Sequence, residues 1–380
     1  MWLHPSAAAL YIELYQYTLV NIIRSSTITS ASTIASNLTT DSTSAISSTS
    51  IVASTQSLGS PNYHRFSVAP MMDWSDRHCR FLWRLISKQC LLYTEMVTTG
   101  ALLQGDSERF LNHNGEEHPL ALQLGGSDPA ALAQCAKLAQ DWGYDEVNLN
   151  CGCPSDRVQN GMIGACLMAH PHLVADCIKA MQDAVSIPIT IKHRIGIDAM
   201  DDYEGLLNFV STVANAGCQT FIVHARKAWL QGLSPKQNRD VPPLVYEAVY
   251  KLKQALPHLT IIINGGIRTM DATLEHLQQV DGVMVGREAY SNPYLLATID
   301  QDLFGDNKPI ATREQIMLEY INYCDRQILA GARLHHMSRH VLGLFQGEVG
   351  ARAFRRAISE NACKTDATTD VLKMAMSKLV

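Results

Sequence analysis

Two cysteines lie at the end of a β-rich run in the segment EVNLNCGCPSDRVQNGMIGACLM (146–168). One glycine separates Cys151 from Cys153. A thiol in such a place can act as a proton donor, a nucleophile, a metal ligand or half of a redox pair. The chain has 10 cysteines, but it contains no CxxC pair and no Cys/His set with zinc-site spacing. The sequence therefore predicts reduced thiols and no metal site. It leaves open whether either cysteine does chemistry or only packs.

Polar side chains close other β-rich runs as well. Lys192 and His224 each end a β-branched run, and a buried cation there requires an anionic partner or a function. Gln123 offers an amide that can hydrogen-bond the edge of a planar ring. For His224 taken alone, a core histidine with satisfied hydrogen bonds is the ordinary alternative.

Glycine-containing turns follow two further runs, at Asn264-Gly265-Gly266 and at Gly286-Arg287. Glycine lets the backbone approach a ligand closely, and an arginine adds a bidentate fork for an anion. Each turn alone has an ordinary interpretation, a tight turn with a surface arginine. Together the two turns predict a phosphate-binding site.

The apolar stretch Pro70-Met71-Met72 ends the first β-rich run. This platform, the phosphate turns, the amide of Gln123 and the ammonium of Lys192 together fit flavin mononucleotide (FMN). Reduced flavin is anionic at its N1–C2=O edge, which a lysine can serve. A phosphosugar would use the same phosphate site but would have less use for the apolar platform.

These residues lie at the ends of eight short β-rich runs that alternate with helix-like segments. Such alternation predicts parallel βαβ units, and eight units that close on themselves make a (β/α)8 TIM barrel, an α/β fold. The competing fold is an open, doubly wound sheet. It should carry a GxGxxG loop after its first strand, where this chain has APMMDW. The predicted runs are 65–72, 91–97, 120–126, 146–154, 189–196, 220–226, 260–266 and 282–287.

The pattern divides the chain into three segments. Residues 63–311 hold the predicted barrel, and residues 312–380, where strand signals stop, are predicted to form a small helical domain. Residues 1–62 are a Ser/Thr-rich extension, since 21 of the 36 residues from Ser25 to Ser60 are Ser or Thr. Such a tract cannot bury a core, so we expect it to be disordered.

The first residues also bear on location. The apolar segment from Ala7 to Ile23 is short for a membrane span of about 20 residues, and no lysine or arginine precedes it as in a signal peptide. We therefore expect no membrane association and a cytoplasmic location. An organelle transit peptide is the alternative, although Arg24 is the only basic residue of the extension.

The segment VNLNCGCPSDRVQNGMIGA (147–165) resembles the signature of the tRNA-dihydrouridine synthases, which reads N-x-G-C-P and then a Gly-small pair about ten residues on. The segments APMMDWSDRHCR, YTEMV, LQLGG, IKHRIGID, VHARKAWLQGLSPK and INGGI resemble the same family in order, so the resemblance covers about Arg65 to Val380. The segments APMMDWSDRH and HARKAWLQGLSPK are similar in sequence to those of the DusA subgroup, which acts on uridines 20 and 20a of the tRNA D-loop.

The resemblance implies an FMN-dependent enzyme that uses NADPH to reduce uridine to 5,6-dihydrouridine. Hydride from reduced FMN would reach C6 of uracil, and Cys153 would protonate C5. Asn150 would lie against the target nucleotide, whereas Cys151 occupies a variable place of the motif and is interpreted as a packing residue. FMN would be contacted by Pro70, Met71, Met72, Gln123, Lys192, His224, Asn264, Gly265, Gly266, Gly286 and Arg287.

A net charge of -5 does not indicate a nucleic-acid binder, yet residues 324–364 carry seven Lys/Arg and three Asp/Glu. Arg352 and Arg355 are three apart, so a helix would present both on one face. A solvated helix face is the ordinary interpretation. The resemblance implies instead that Lys236, Arg239, Arg352 and Arg355 bind tRNA through the predicted helical domain and the mouth of the barrel.

Two other functions stay open at this point. An FMN barrel that reduces a free pyrimidine would explain the flavin turns and Cys153, but not the basic helical segment. A non-catalytic, flavin-carrying RNA-binding protein would explain the basic residues, but not a thiol acid. The sequence shows no separate nicotinamide motif and implies no stable protein partner.

Overall fold

The computed structural model describes residues 63–155, 161–200 and 202–379. The extension predicted to be disordered, residues 1–62, lies outside the described residues. No helix in the described ranges is both long enough and apolar enough to cross a membrane.

Eight parallel strands form a closed barrel in which each strand pairs with its neighbours in sequence and β1 pairs with β8. The predicted TIM barrel is confirmed. Each observed strand lies within a predicted run or overlaps it, and most predicted runs extend further because they included the turn residues at the mouth. The strands are β1 Phe66–Val68, β2 Leu91–Thr98, β3 Leu120–Gly125, β4 Glu146–Cys151, β5 Ile189–Arg194, β6 Thr220–His224, β7 Thr260–Asn264 and β8 Gly282–Val285.

Alternation along each strand separates two buried faces. In β4, Val147, Leu149 and Cys151 join the large core between the barrel and its helices, so Glu146 and the residues at every second position from it point into the barrel. A second, smaller apolar cluster fills the barrel interior and consists of Ala69, Leu91, Tyr93, Ala121, Ile222, Ile262 and Met284. Because both faces are buried, the strands read as nearly continuous apolar runs, as expected for a parallel sheet.

The helix after β3 begins and ends at residues that are typical of helix termini. The side chain of Asp128 accepts a hydrogen bond from the backbone N–H of Ala131 at 2.7 Å, Pro129 opens the helix, and Gly143 follows its end with φ +85°. The helices that follow strands or cover the barrel are Arg77–Ile86, Thr99–Gln104, Ser107–Leu111, Pro129–Asp141, Pro171–Ala184, Tyr203–Asn215, Tyr246–Ala255, Met270–His276, Arg287–Ser291 and Ile299–Phe304.

A helical region follows the barrel, as expected, with helices Arg313–Leu329, Leu334–Ser338, Ala351–Asn361 and Asp370–Met376. It docks on helix Arg77–Ile86, where the rings of Phe81 and Tyr323 stack with centroids 3.9 Å apart. The C-terminal helical region therefore sits beside the loops that leave the first barrel strand.

The cap of helix Arg77–Ile86 adds a polar link to this docking surface. The carboxylate of Asp76 accepts hydrogen bonds from Arg339 Nη2 at 2.6 Å and from His340 Nε2 at 3.1 Å. Burial acts to raise the pKa of Asp76, but these bonds and the one from the backbone of Cys79 hold it well below its usual range. Asp76 thus stays ionised and ties the C-terminal helical region to the barrel.

Candidate active site

Cys153 lies two residues beyond the end of β4, on a main chain that is held at both of its polar groups. The backbone N–H groups of Gly152 and Cys153 each donate to Oδ1 of Asn150 at 3.0 Å. The carbonyl of Cys153 accepts a hydrogen bond from the backbone N–H of Ala165 at 2.8 Å. The half-buried, unbridged thiol is therefore presented from a fixed backbone at the mouth of the barrel.

The small pair that follows the cysteine motif has a steric reason. Gly164 adopts φ +84°, and a β-carbon there would overlap the carbonyl oxygen of Cys153. Ala165, which donates the hydrogen bond to that carbonyl, is fully buried. A glycine followed by a small residue is thus what lets the returning chain close on the cysteine loop.

Cys151 and Cys166 lie apart from this chemistry. Cys151 is fully buried in the core outside the barrel, and burial raises the pKa of its thiol well above the ordinary value. Burial also raises the pKa of Cys166, whose sulfur lies 3.4 Å from the carbonyl oxygen of Ile163. The structure agrees with the interpretation of Cys151 as a packing residue. Within the described ranges no cluster of His, Cys, Asp and Glu is arranged to hold a metal ion.

A polar ladder of side chains runs along the barrel interior to Asn150. Asn150 Nδ2 donates to Gln123 Oε1 at 2.8 Å, and Gln123 Nε2 donates to Asn148 Oδ1 at 2.8 Å. Asn148 Nδ2 donates to Thr190 Oγ1 at 2.9 Å, and that hydroxyl donates to Glu146 at 2.6 Å. The polar ladder sets the orientation of both amides at its upper end. Gln123 keeps one further donor and one further acceptor site for a ligand.

Lys192 reaches the mouth of the barrel from β5. Its ammonium donates to Asn264 Oδ1 at 3.1 Å, and Asn264 in turn donates to the carbonyl of Met284 at 2.8 Å. In the described part of the chain no carboxylate pairs with Lys192. Burial, with Arg194 nearby, lowers the pKa of Lys192 to about 7. An anion placed beside the ammonium would restore its charge, so the site has the electrostatics of an anion-binding pocket.

The turn after β7 requires glycine at two positions. Gly265 has φ +122° and a β-carbon there would lie 2.8 Å from His224 Cδ2, whereas Gly266 has φ +74° and its β-carbon would lie 2.5 Å from Leu244 Cδ1. The backbone N–H groups of both glycines donate to no protein acceptor in the ranges that the structure describes. Two free backbone donors in a turn that admits no side chain fit a phosphate group.

His224 forms a wall of the same turn. Burial and the positive charges of Arg194, Lys192, Arg226 and Arg287 lower the pKa of His224 well below its ordinary value. The imidazole is therefore neutral, and it can present one donor and one acceptor to a ligand.

Arg287 and the apolar platform border the same opening. The guanidinium of Arg287 pairs with Asp240 at 2.8 Å, and both side chains are close to half exposed. Such a pair stabilises the protein by about 0–1 kcal/mol, so the guanidinium of Arg287 can exchange Asp240 for a phosphate at little cost in free energy.

The apolar platform lies beside the turn that carries Arg287. A β-carbon on Gly286 would have Met71 Sδ at 3.9 Å as one of its nearest neighbours, and Met72 is 57% exposed at the mouth. Pro70 and Met71 are half-buried beside it.

Arg194 belongs to this site although the sequence assigned it no role. It is 3% exposed, and its guanidinium donates to the carbonyls of Gly152 at 2.9 Å, Lys227 at 2.9 Å and Asn238 at 3.0 Å. Burial lowers its pKa to about 10, an effect that the proximity of Cys153 partly opposes. Arg194 thus ties the cysteine loop to two segments after β6. Like Lys192, it lies near the carboxyl end of β5, two residues further along the same strand face.

Glu95, which lies in the second β-rich run of the sequence, supports the platform. Its carboxylate accepts a hydrogen bond from the backbone N–H of Asp73, a non-glycine residue with φ +64°. Burial raises the pKa of Glu95. The loop that carries Met71 and Met72 is therefore held in a left-handed turn by a side chain from β2.

The structure places the predicted basic residues in two groups around the mouth. Lys236 and Arg239 are exposed after β6, and Arg239 is close enough to Cys153 and Arg287 for their charges to affect its pKa. Arg352 and Arg355 lie on one face of helix Ala351–Asn361, as predicted, and line a cleft with Trp74 and Tyr290.

Comparison with known proteins gives an independent view of this arrangement. The family model described as Dihydrouridine synthase (Dus) matches residues 67–379. The protein named tRNA-dihydrouridine(20/20a) synthase of Vibrio parahaemolyticus serotype O3:K6 is 60% identical over 316 residues, which are 83% of this chain and 97% of that relative. Proteins of the same name from Pseudomonas syringae pv. tomato and Escherichia coli K12 are 62% identical over 302 residues (80% and 90% of the two chains) and 60% identical over 317 residues (83% and 91%).

Proposed function

Because the chain belongs to the dihydrouridine synthase family of oxidoreductases, we propose that it reduces uridine to 5,6-dihydrouridine at positions 20 and 20a of the tRNA D-loop. The names of relatives that are about 60% identical over nine-tenths or more of their length support this substrate. The observation in the structure that carries the chemistry is Cys153, whose backbone is held at both polar groups and whose loop is bound by the buried Arg194.

FMN is the proposed resident cofactor, with NADPH as its reductant. The free N–H groups of Gly265 and Gly266 and the exchangeable fork of Arg287 would hold the phosphate. Lys192 would face the anionic edge of the flavin. The remaining hydrogen-bond donor and acceptor of Gln123 would bind polar atoms of the flavin ring. When bound, reduced FMN supplies the hydride that adds to C6 of uracil. The wider proposed set also includes Pro70, Met71, Met72, His224, Asn264 and Gly286.

The role of Cys153 follows from what the substrate needs. A uracil that has gained a hydride at C6 carries an enolate charge, and it becomes dihydrouracil when C5 takes a proton. The thiol of Cys153 donates that proton and becomes a thiolate, which water or buffer then reprotonates. General acid help of this kind is worth about 10²–10⁴-fold. Lys192, Arg194 and Arg239 are the basic residues close enough to Cys153 to interact with it electrostatically.

The target base has to leave the RNA stack to reach this pocket. D-loop bases are partly single-stranded, which lowers the free energy of that step. Asn150, which braces the cysteine loop and is 9% exposed, is proposed to contact the flipped nucleotide. The helical region 312–380 is proposed as the tRNA-binding domain, with Arg352 and Arg355 joining Lys236 and Arg239 as the phosphate contacts.

One assay tests the proposal against both alternatives. Purified protein is incubated with NADPH and either an unmodified tRNA transcript or a free pyrimidine, and dihydrouridine in the transcript is mapped by position. Product at positions 20 and 20a supports the proposal. Product on a free pyrimidine only, with none on tRNA, would identify a small-molecule reductase. tRNA binding without any reduced product would identify a flavin-carrying RNA-binding protein.

A further inference from the structure

A cleft of about 770 Å³ lies where the mouth of the barrel meets the C-terminal helical region. Its walls come from the loop after β1, the helix after β8 and helix Ala351–Asn361. The side chains that line it include Trp74, Tyr290, Arg352 and Arg355. Neither the sequence patterns nor the contacts of the proposed flavin site account for the aromatic part of this cleft.

The aromatic wall of the cleft is held rigid. The indole of Trp74 stacks on the ring of Tyr290 with centroids 4.4 Å apart and planes 9° apart, and Tyr290 meets the ring of His340 edge-on at 5.8 Å. Trp74 is half-buried, and its indole N–H has no hydrogen-bond acceptor in the part of the chain that the structure describes. A fixed, flat apolar surface with a free donor at its edge suits a nucleobase.

The charge of the cleft is positive once its ion pairs are counted. Glu348 is engaged by Arg313 at 3.1 Å, and Arg339 is engaged by Asp76 at 2.6 Å. Arg352 and Arg355 make no ion pair with any residue in the described ranges. Two unpaired guanidinium groups that line the same cleft as an aromatic pair have the composition of a site for a nucleotide with its phosphate.

The cleft is also adjacent to the reacting centre. The backbone N–H of Trp74 donates to the carbonyl of Met71 at 3.1 Å, which closes the turn that carries the apolar platform. The aromatic wall thus begins three residues beyond Met71, on the same short loop that borders the proposed flavin pocket.

We propose that this cleft binds the nucleotide next to the target uridine in the tRNA D-loop, with its base on Trp74 and its phosphate at Arg352 and Arg355. The proposal rests on the proposed function, because it names a second subsite for the same substrate. It explains why a rigid aromatic pair and two unpaired arginines converge beside the mouth. Holding the neighbouring nucleotide outside the pocket would keep the target base unstacked.

The test measures tRNA binding by Trp74→Ala, Trp74→Phe and a matched control. Trp142→Ala is the control, because Trp142 is 37% exposed and lies after helix Pro129–Asp141, at the opposite end of the barrel from the mouth. We expect Trp74→Ala to weaken binding of the transcript by about 5- to 100-fold, as for other base-stacking residues. Trp74→Phe should recover most of the loss, since it keeps an aromatic wall, and Trp142→Ala should bind like the wild type. The flavin spectrum should be the same in all variants.

Abasic transcripts make the test specific to stacking. With transcripts that lack one base at a time around position 20, the penalty of Trp74→Ala should vanish for one transcript only, as in a double-mutant cycle. The proposal would be overturned if Trp74→Ala bound tRNA as tightly as the wild type, which would indicate that Trp74 serves only contacts within the protein. It would also be overturned if Trp74→Ala weakened binding equally for every abasic transcript. Dihydrouridine formation by the wild type, measured in parallel, separates failure of this subsite from failure of the proposed function.

Discussion

Gly164 packs against the carbonyl group of Cys153 with no room for a β-carbon between them. The same carbonyl accepts the hydrogen bond from Ala165, so the segment that returns after the cysteine motif fixes the position of the thiol. The two residues are 11 apart in sequence, and their contact helps to hold the half-buried Cys153 in place.

Replacing Gly164 by alanine should therefore misplace Cys153. We expect Gly164→Ala to lower dihydrouridine formation by about 100-fold, the effect typical of a small displacement at a reacting centre. Gly143→Ala is the matched control, since Gly143 has nearly the same φ, +85° against +84°, and open space where its β-carbon would lie. Both variants should lose about 1–2 kcal/mol of stability from the left-handed backbone. Equal activities of the two variants would contradict this role of Gly164.

Substitution of the two cysteines of the motif, Cys153 and Cys151, should have different effects on activity. Cys153→Ala should bind FMN and tRNA but form dihydrouridine about 10²–10⁴-fold more slowly, because the proton donor is missing. Cys151→Ala should keep most of the activity and lose about 1 kcal/mol of stability, as expected for a small change in a packed core. Single-turnover assays with pre-reduced enzyme measure the step concerned. Full turnover by Cys153→Ala would exclude it as the acid.

Arg194 should matter for both stability and activity. In Arg194→Lys one ammonium replaces a fork that holds three carbonyls, so buried acceptors are left without partners at a penalty of about 1–3 kcal/mol. Because the Gly152 carbonyl belongs to the cysteine loop, dihydrouridine formation should fall as well. Arg356→Lys, at an exposed arginine paired with Glu360, should change neither property. Thermal unfolding and initial rates, measured together, check the prediction, and a stable but fully active Arg194→Lys would refute it.

Lys192 should make the stability of the flavin-free protein depend on pH. Its pKa is lowered to about 7 in the folded chain from its ordinary 10.5. Between these values the unfolded chain binds the extra proton, and stability rises with pH wherever the unfolded state binds more protons. The wild type should thus gain free energy of unfolding relative to Lys192→Met as the pH rises from about 7 to about 9.

Urea denaturation at several pH values measures this difference. Lys179→Met, which removes an exposed lysine paired with Asp183, should follow the pH dependence of the wild type. Parallel curves for the wild type and Lys192→Met would show that Lys192 keeps its ordinary pKa in the folded state.

Arg352 and Arg355 should contribute to tRNA binding through phosphate contacts. The double variant Arg352→Ala/Arg355→Ala should bind tRNA more weakly. The slope of log affinity against log salt should fall by about 1–2, because each phosphate contact contributes about 0.7–0.9. The flavin spectrum should stay intact. Arg356→Ala on the same helix is the control, and an unchanged slope in the double variant would argue against phosphate contacts.

Much of the fold was readable from sequence because local signals agreed with one another. Asp128, Pro129 and Gly143 mark the ends of one helix, and buried strands such as β7 read as continuous apolar runs. The polar residues at strand ends, among them Lys192 and His224, were therefore expected at one mouth. They meet there because parallel strands in a closed barrel all end on the same side.

The contacts between loops could not be read in the same way. Nothing near Arg194 in sequence indicates that its partners are carbonyls of Gly152, Lys227 and Asn238, because backbone acceptors carry no sequence signature. The stack of Trp74 on Tyr290 joins residues that follow the first and last strands, and only closure of the barrel brings them together. Arg287 was predicted as a phosphate fork, and its ion pair with Asp240 depends on the conformation of a long connection.

The clamp of Arg194 has a consequence for the order in which the protein is made. Gly152 precedes Arg194 by 42 residues, whereas Lys227 and Asn238 follow it by 33 and 44 residues. As the chain leaves the ribosome, the cysteine loop emerges well before two of the three acceptors that complete the clamp. The clamp can therefore be completed only after Asn238 has been translated, when strands β1 to β6 have already been made and strands β7 and β8 have not.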